Sequence, residues 1–195
     1  MKSLKNIFSL IGFISVLVFL IALYKVEPAF HRFSSFDGRA LETYTGLAEK
    51  ILETGNAAEA TVWKVEVDQG LSVADVEEAM MSTANEHNIK NVGELPLYKQ
   101  VEAMTGRSYR FMKIYMFCNA LTAAKMADYS NAFTAYLPCR VALVEDKKGK
   151  LWIFSLNMDL MIFGGSSLPP LLKEEAIKVK TIIQDIMKRG ASGEF

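Results

Sequence analysis

The strongest constraint on this chain is a run without charge: no Asp, Glu, Lys or Arg lies between Lys5 and Lys25. Apolar residues such as Phe8, Ile11, Phe13, Val16, Phe19 and Leu23 occupy every side of a helix drawn through it, so no amphipathic face accounts for the run. As a helix, residues 6–24 rise about 28 Å, close to the hydrocarbon thickness of a bilayer. A cleaved secretory signal fits less well. Lys2 and Lys5 make a proper basic start, but the apolar stretch exceeds the usual ~7–15 residues. The exit Leu23-Tyr24-Lys25-Val26-Glu27-Pro28 also lacks a small-x-small cleavage site. The run therefore reads as an uncleaved signal anchor, a single transmembrane helix over residues 1–24 with the lipid bilayer as partner of residues 6–24. Lys2, Lys5 and the amino group favour a cytoplasmic N-terminus, with residues 25–195 exported, in a bacterium to the periplasm.

Charge and length narrow the rest. The 195 residues carry 22 basic and 22 acidic groups, which excludes a strongly basic nucleic-acid binder and a highly charged disordered chain. Two cysteines are too few for a disulfide scaffold or a closed cysteine zinc site. Residues 61–105 are mainly acidic and residues 106–157 mainly basic, a pattern read as ordinary solvated faces over cross-domain pairing.

Beyond the anchor the chain reads as α+β. Residues 25–59 are a juxtamembrane spacer and helical neck, 60–163 a compact domain with a mainly antiparallel sheet packed by helices, and 164–195 a C-terminal helix and tail. In the neck, Leu41, Tyr44, Leu47, Ala48, Ile51 and Leu52 predict one helical stripe, ended near Gly55. It is read as packing on its own domain, with subunit pairing as the alternative. Thr61 to Val67 alternates as a strand, and Ser72 followed by Asp75 signals a helix start. Ile89 to Val92 suits a short strand. Arg110 to Cys118 is apolar on both faces, as in a strand inside a sheet. Asn119 suits an N-cap for a helix to about Tyr129. Arg140–Glu145 and Lys150–Leu156 are strands joined by the hairpin Asp146-Lys147-Lys148-Gly149. A flexible Gly164-Gly165-Ser166-Ser167 link leads to a last helix opened by Pro169-Pro170 and stopped at Gly190, with residues 191–195 a frayed tail.

Several short motifs occur in a fixed order: Phe117-Cys118-Asn119, Leu137-Pro138, then Glu145, Gly149-x-Leu151-Trp152 and Asn157. Over roughly residues 60–160 this resembles the domain of unknown function 302 family, whose members carry Phe-Gly-Asn-Pro after a strand, Leu-Pro before the next, and an acidic hairpin with a glycine and an aromatic. The resemblance implies a compact α+β domain with a curved, mainly antiparallel sheet and frequent dimeric packing. It brings no catalytic residues. Cys118 stands where the familiar pattern has Gly and Ala120 where it has Pro, and Cys139 follows Leu-Pro. These departures suggest a membrane-anchored subgroup with a cysteine pair.

Cys118 and Cys139 are the candidate redox or disulfide residues. A structural disulfide, two unpaired buried thiols, and redox or ligand chemistry all stay open, and no Cys-x-x-Cys supports thiol exchange by motif. Asn119, Glu145 and Asn157 are candidate ligand-binding residues that would form a polar rim. His31 and His87 lie too far apart in sequence to suggest a shared metal site. Met112, Met116, Met158 and Met161 read as flexible core filler, with soft ligation of copper or haem iron as the alternative. No cofactor or metal is expected, and no catalytic motif is present. The expected function is a membrane-tethered, non-enzymatic interaction or small-ligand-binding module, working as a homo-oligomer or with a membrane-protein partner. A redox or cofactor accessory protein using Cys118 and Cys139, and an enzyme with an unfamiliar site, are the alternatives.

Overall fold

The computed structural model describes the backbone of residues 2–195 and the side chains of residues 11–21, 23–25 and 31–195. Five strands, β1 Val62–Glu66, β2 Lys90–Leu95, β3 Met112–Cys118, β4 Cys139–Glu145 and β5 Leu151–Leu156, form one sheet in the order β1-β5-β4-β3-β2. Every neighbouring pair is antiparallel, so the α+β expectation with a mainly antiparallel sheet holds. The helices are α1 Lys2–Ser34, α2 Ala40–Thr54, α3 Ala57–Ala60, α4 Val73–Glu86, α5 Leu97–Thr105, α6 Ala120–Tyr129, α7 Asp159–Phe163 and α8 Pro170–Ser192, with a 3-10 turn over Asn131–Tyr136.

The expected membrane anchor does not hold. The side chains of residues 6–10 and 22 lie outside the described residues, and among the described residues no helix is long and apolar enough to cross a membrane. Nor does the helix end at a membrane exit. It runs on to Ser34 through Lys25, Glu27, His31 and Arg32, where a juxtamembrane spacer was expected. The signal-anchor reading and the single-pass topology with an exported domain fall with it.

The sheet has two different faces. Tyr115 and Phe117 of β3, Val141 and Leu143 of β4 and Ile153 of β5 point to one side and are fully buried. They meet Val76, Met80 and Ala84 of α4 and Ile182, Ile183, Ile186 and Met187 of α8 in the main core. Burying each such side chain contributes about 1.5–3 kcal/mol, which fixes the register, since a one-residue slip would turn every one of them outward. The start of α4 is set by a capping box: the Asp75 amide donates to Ser72 Oγ at 3.2 Å, and the Ser72 amide donates to Asp75 Oδ2 at 2.7 Å. At the far end of the sheet Met126, Met158, Ile162, Phe163, Leu168 and Leu172 form a second apolar cluster under α6, α7 and the start of α8.

Three local expectations change. Helix α8 does not stop at Gly190; it continues to Ser192 and is capped by Gly193 at φ 68°. Gly190 is a packing glycine, lying against Met80, and Ala191 is buried where a frayed tail was expected. The link at residues 164–167 is held in place: the Asp37 amide donates to the Gly165 carbonyl at 2.8 Å, and Ser167 donates to the Asp37 carboxylate at 2.7 Å. Helix α5 was not anticipated at all.

Candidate functional site

The chain leaves β3 through Asn119, whose Oδ1 accepts the Thr122 amide at 3.1 Å and caps α6. After α6 the 3-10 turn carries it back to begin β4 directly beside β3, with Cys139 opposite Phe117. A cavity of about 50 Å³ lies at this corner, bordered by Cys118, Asn119, Met126, Cys139, Met158 and Met161 among others. Both cysteines are free thiols. The register explains why: Cys139 shares a face with Phe117, and strand alternation sends Cys118, the next residue, to the other face. Burial raises the Cys118 thiol above its ordinary value. Burial, aided by the nearby Cys118, pushes Cys139 up to about 11. Both are held in the protonated, weakly nucleophilic form at neutral pH.

The three candidate rim residues do not converge. Glu145 ends β4, about 20 Å along the strand from Cys139, and its Oε2 accepts the Phe111 amide at 3.2 Å. Asn157 accepts the Asp159 amide at 2.9 Å and opens α7. It borders a separate cleft of about 490 Å³ between α2 and α7, whose wall includes Arg39, Leu47, Lys50 and Asp159. Tyr136, Leu156 and Met161 border both the cleft and the small cavity, so the two spaces adjoin. His87 Nε2 lies 2.7 Å from Asp185, and His31 sits in the last turn of α1. Among the described residues no three His, Cys, Asp or Glu side chains gather as a metal-binding group. The four methionines separate into pairs: Met158 and Met161 border the cavity, while Met112 and Met116 lie on the second face of the sheet.

Reading by residue type passed over a charged cluster. Lys113, inside β3, lies 2.8 Å from Glu77 of α4 and 2.7 Å from Glu94 of β2, and the Tyr115 hydroxyl donates to Glu77. The two carboxylates raise Lys113 above its ordinary value against the opposing effect of its burial, and Lys113 in turn lowers Glu94. Every member has a partner, so the cluster ties α4 and β2 to β3 and offers no free group for chemistry. Lys113–Glu77, Lys113–Glu94 and Lys150–Glu66 also show the acidic and basic stretches of sequence pairing across the domain, where solvated faces were expected.

The second face of the sheet is the most unusual surface. It carries Met112, Ile114 and Met116 of β3, Ala142 and Val144 of β4, and Trp152 and Phe154 of β5, all only partly buried. The register lines them up as Met112–Val144–Trp152 and Ile114–Ala142–Phe154 across three adjacent strands. The main core helices α4 and α8 pack on the opposite face, and α5 touches β3. One-sided antiparallel sheets normally alternate apolar inside with polar outside; this one is apolar on both sides. The Met116 side chain lies across Gly93 of β2, where a Cβ would come within 2.6 Å of its terminal methyl. Next to it a bulge turns Val92 out, 57% exposed.

Residues 63–189 match the family described as Domain of unknown function DUF302. The chain belongs to the DUF302 family. The match reaches past the motifs at residues 60–160 and takes in most of α8, in keeping with the place of that helix in the core. It carries the family alone; neither a membrane-anchored subgroup nor one defined by a cysteine pair follows from it. An uncharacterized conserved DUF302 protein from Bacillus stearothermophilus, known from a crystal structure, is similar with a TM-score of 0.53 at 16% identity, over 66% of this chain and 97% of that one. At that identity the likeness concerns the DUF302 fold alone. No curated protein matches the chain in sequence.

Proposed function

We propose that this DUF302 chain is a non-enzymatic interaction module that pairs with a second copy of itself through the open face of its sheet. The observation that carries this reading is the apolar surface made by Met112, Ile114, Met116, Ala142, Val144, Trp152 and Phe154 on three adjacent strands. Contiguous exposed apolar surface on a folded domain marks an interaction site. Five strands at about 4.8 Å by six residues at about 3.3 Å give a face roughly 20 Å on each side. That is a face of about 400 Å², about half of the ~800 Å² per partner of a standard interface, which fits a small pairing surface.

Charge favours a like partner. The chain is formally neutral, so two copies do not repel. Of the strand residues on this face, the charged ones are Lys64 and Glu66 on edge strand β1, Lys90 on edge strand β2 and Arg140 at the start of β4, which leaves the centre apolar. Two such faces would stack about 10 Å apart as a sandwich. The neutral thiols of Cys118 and Cys139 give little support to the redox alternative.

Light scattering on the purified full chain in mild detergent tests the proposal. Helix α1 exposes Phe13 and Phe19, so the deciding comparison is with Phe154→Glu, which leaves α1 untouched. The expected result is a dimer for the natural chain and a folded monomer for the variant. A monomeric natural chain, or an equally dimeric variant, would overturn it.

A further inference from the structure

The small cavity gathers sulfur. The whole chain has ten methionines and two cysteines, and five of those twelve residues border this one space. Four of them, Met126 of α6, Cys139 of β4, and Met158 and Met161 at the start of α7, also pack together in the second apolar cluster. We infer that these four side chains form a binding site for a single cuprous ion, with one thiolate and up to three thioethers as ligands. The inference stands apart from the pairing proposed above, because its four ligands belong to the second apolar cluster under the helices and not to the open face.

Ligand chemistry selects the ion. Thiolate and thioether sulfurs are soft donors and favour Cu(I), whereas carboxylate and imidazole sites serve harder cations. The described residues offer no gathering of three His, Cys, Asp or Glu, so the sulfur set stands without hard competitors. Charge selects it again. One thiolate and one Cu(I) sum to zero, which an apolar cavity accepts; a divalent ion with one thiolate would leave a buried unit charge at a cost of several kcal/mol. Methionine is flexible enough to turn its sulfur inward without moving the backbone. The adjoining 490 Å³ cleft, sharing Tyr136, Leu156 and Met161 with the cavity, provides the way in.

Binding is an exchange of one cation for another: Cys139–SH and Cu(I) give Cys139–S–Cu(I) and a proton released to solvent. Copper remains cuprous and no electron moves. The other titratable or charged groups bordering the cavity are Cys118, Tyr136 and Arg140.

The test is an anaerobic titration of the reduced full chain with Cu(I), against a chromogenic Cu(I) chelator. One equivalent should bind. Cys139→Ser should abolish competition with the chelator, and Cys118→Ser should leave it within about threefold. Met158→Leu with Met161→Leu keeps the core volume and removes two ligands. It should weaken binding by ~100-fold or more, since loss of outer-shell partners alone costs 10–100-fold. Far-ultraviolet circular dichroism checks that each variant is folded. If the double leucine variant binds as the natural chain does, the methionines are only filler and the site is refuted. Equal affinity for Zn(II), or Cu(I) binding that survives Cys139→Ser, would refute it too.

Discussion

Replacing Gly190 with alanine should destabilise this protein although it improves helix propensity. Gly190 lies inside α8, where the exchange alone would favour the helix by about 1 kcal/mol. A Cβ there would sit 2.5 Å from Met80 Cγ and 3.3 Å from Ile153 Cδ1. Met80 and Ile153 are both fully buried, and the clash falls near the root of the Met80 side chain, so neither can swing away. Overpacking of this kind costs about 1–3 kcal/mol. The expected net loss is therefore ~1 kcal/mol, a Tm fall of about 2–4 °C in a chain of this size. Urea and thermal unfolding followed by circular dichroism measure it. In a double-mutant cycle, Met80→Ala should relieve most of the added cost, because the obstructing Cγ is gone. A Gly190→Ala variant more stable than the natural chain would refute the close α4–α8 approach on which the core description rests.

The Asp37 carboxyl is held down to about 2, chiefly by the hydrogen bond from Lys173, with help from Ser167 and the Arg39 amide against the cost of burial. A depressed carboxyl stabilises the fold above its ordinary value of 3.8 and loses that contribution as pH falls toward about 2. The melting temperature of the natural chain should thus fall more steeply than that of Asp37→Asn between pH 4 and pH 2; parallel profiles would remove the contribution. Alkylation with mass mapping at pH 7.5 should label Cys118 before the more deeply buried Cys139, with Cys139 reacting mainly on unfolding, and intact protein should show no two-hydrogen deficit. Equal labelling rates, or a deficit, would contradict the thiol environment described here. Lys113→Met should destabilise by roughly 1–3 kcal/mol, below the 3–5 of a fully buried pair, because Glu77 and Glu94 keep some contact with water. No loss in urea unfolding would show the cluster to be mere surface charge.

Elements whose signals are local were legible in sequence. The Ser72–Asp75 capping box, the Asn119 cap and the Gly149 hairpin act within a few residues, and the alternation of β3 reports burial directly. Features set by distant partners were not. Helix α5 places Leu97, Tyr98, Val101 and Met104 at helical spacing, yet it is only nine residues long and buries none of them fully, so its signal is short and weakly tied to the core. Gly190 has the composition of a stop, and only the approach of Met80 reveals a packing role. Of the candidate rim residues, Glu145 stands at the far end of β4 from Asn119, while Asn157 follows β5 at the Asn119 end but borders the separate cleft, a placement that only the strand register reveals. The uncharged N-terminal run has the length of a span on paper, yet α1 carries straight on into charged residues. For the cysteines, adjacency was open in sequence, but opposite facing follows only from the register of Phe117 with Cys139.

The most direct test of the central claim, that the open sheet face is a self-pairing surface, is oxidative footprinting of the full chain across a range of protein concentrations. Met112, Met116 and Trp152 report on that face, and Met104, 87% exposed on α5, serves as the internal control. Pairing predicts that oxidation of Met112, Met116 and Trp152 falls as concentration rises while Met104 stays constant, and that Phe154→Glu removes the protection. Oxidation of the face that is the same at every concentration would contradict it.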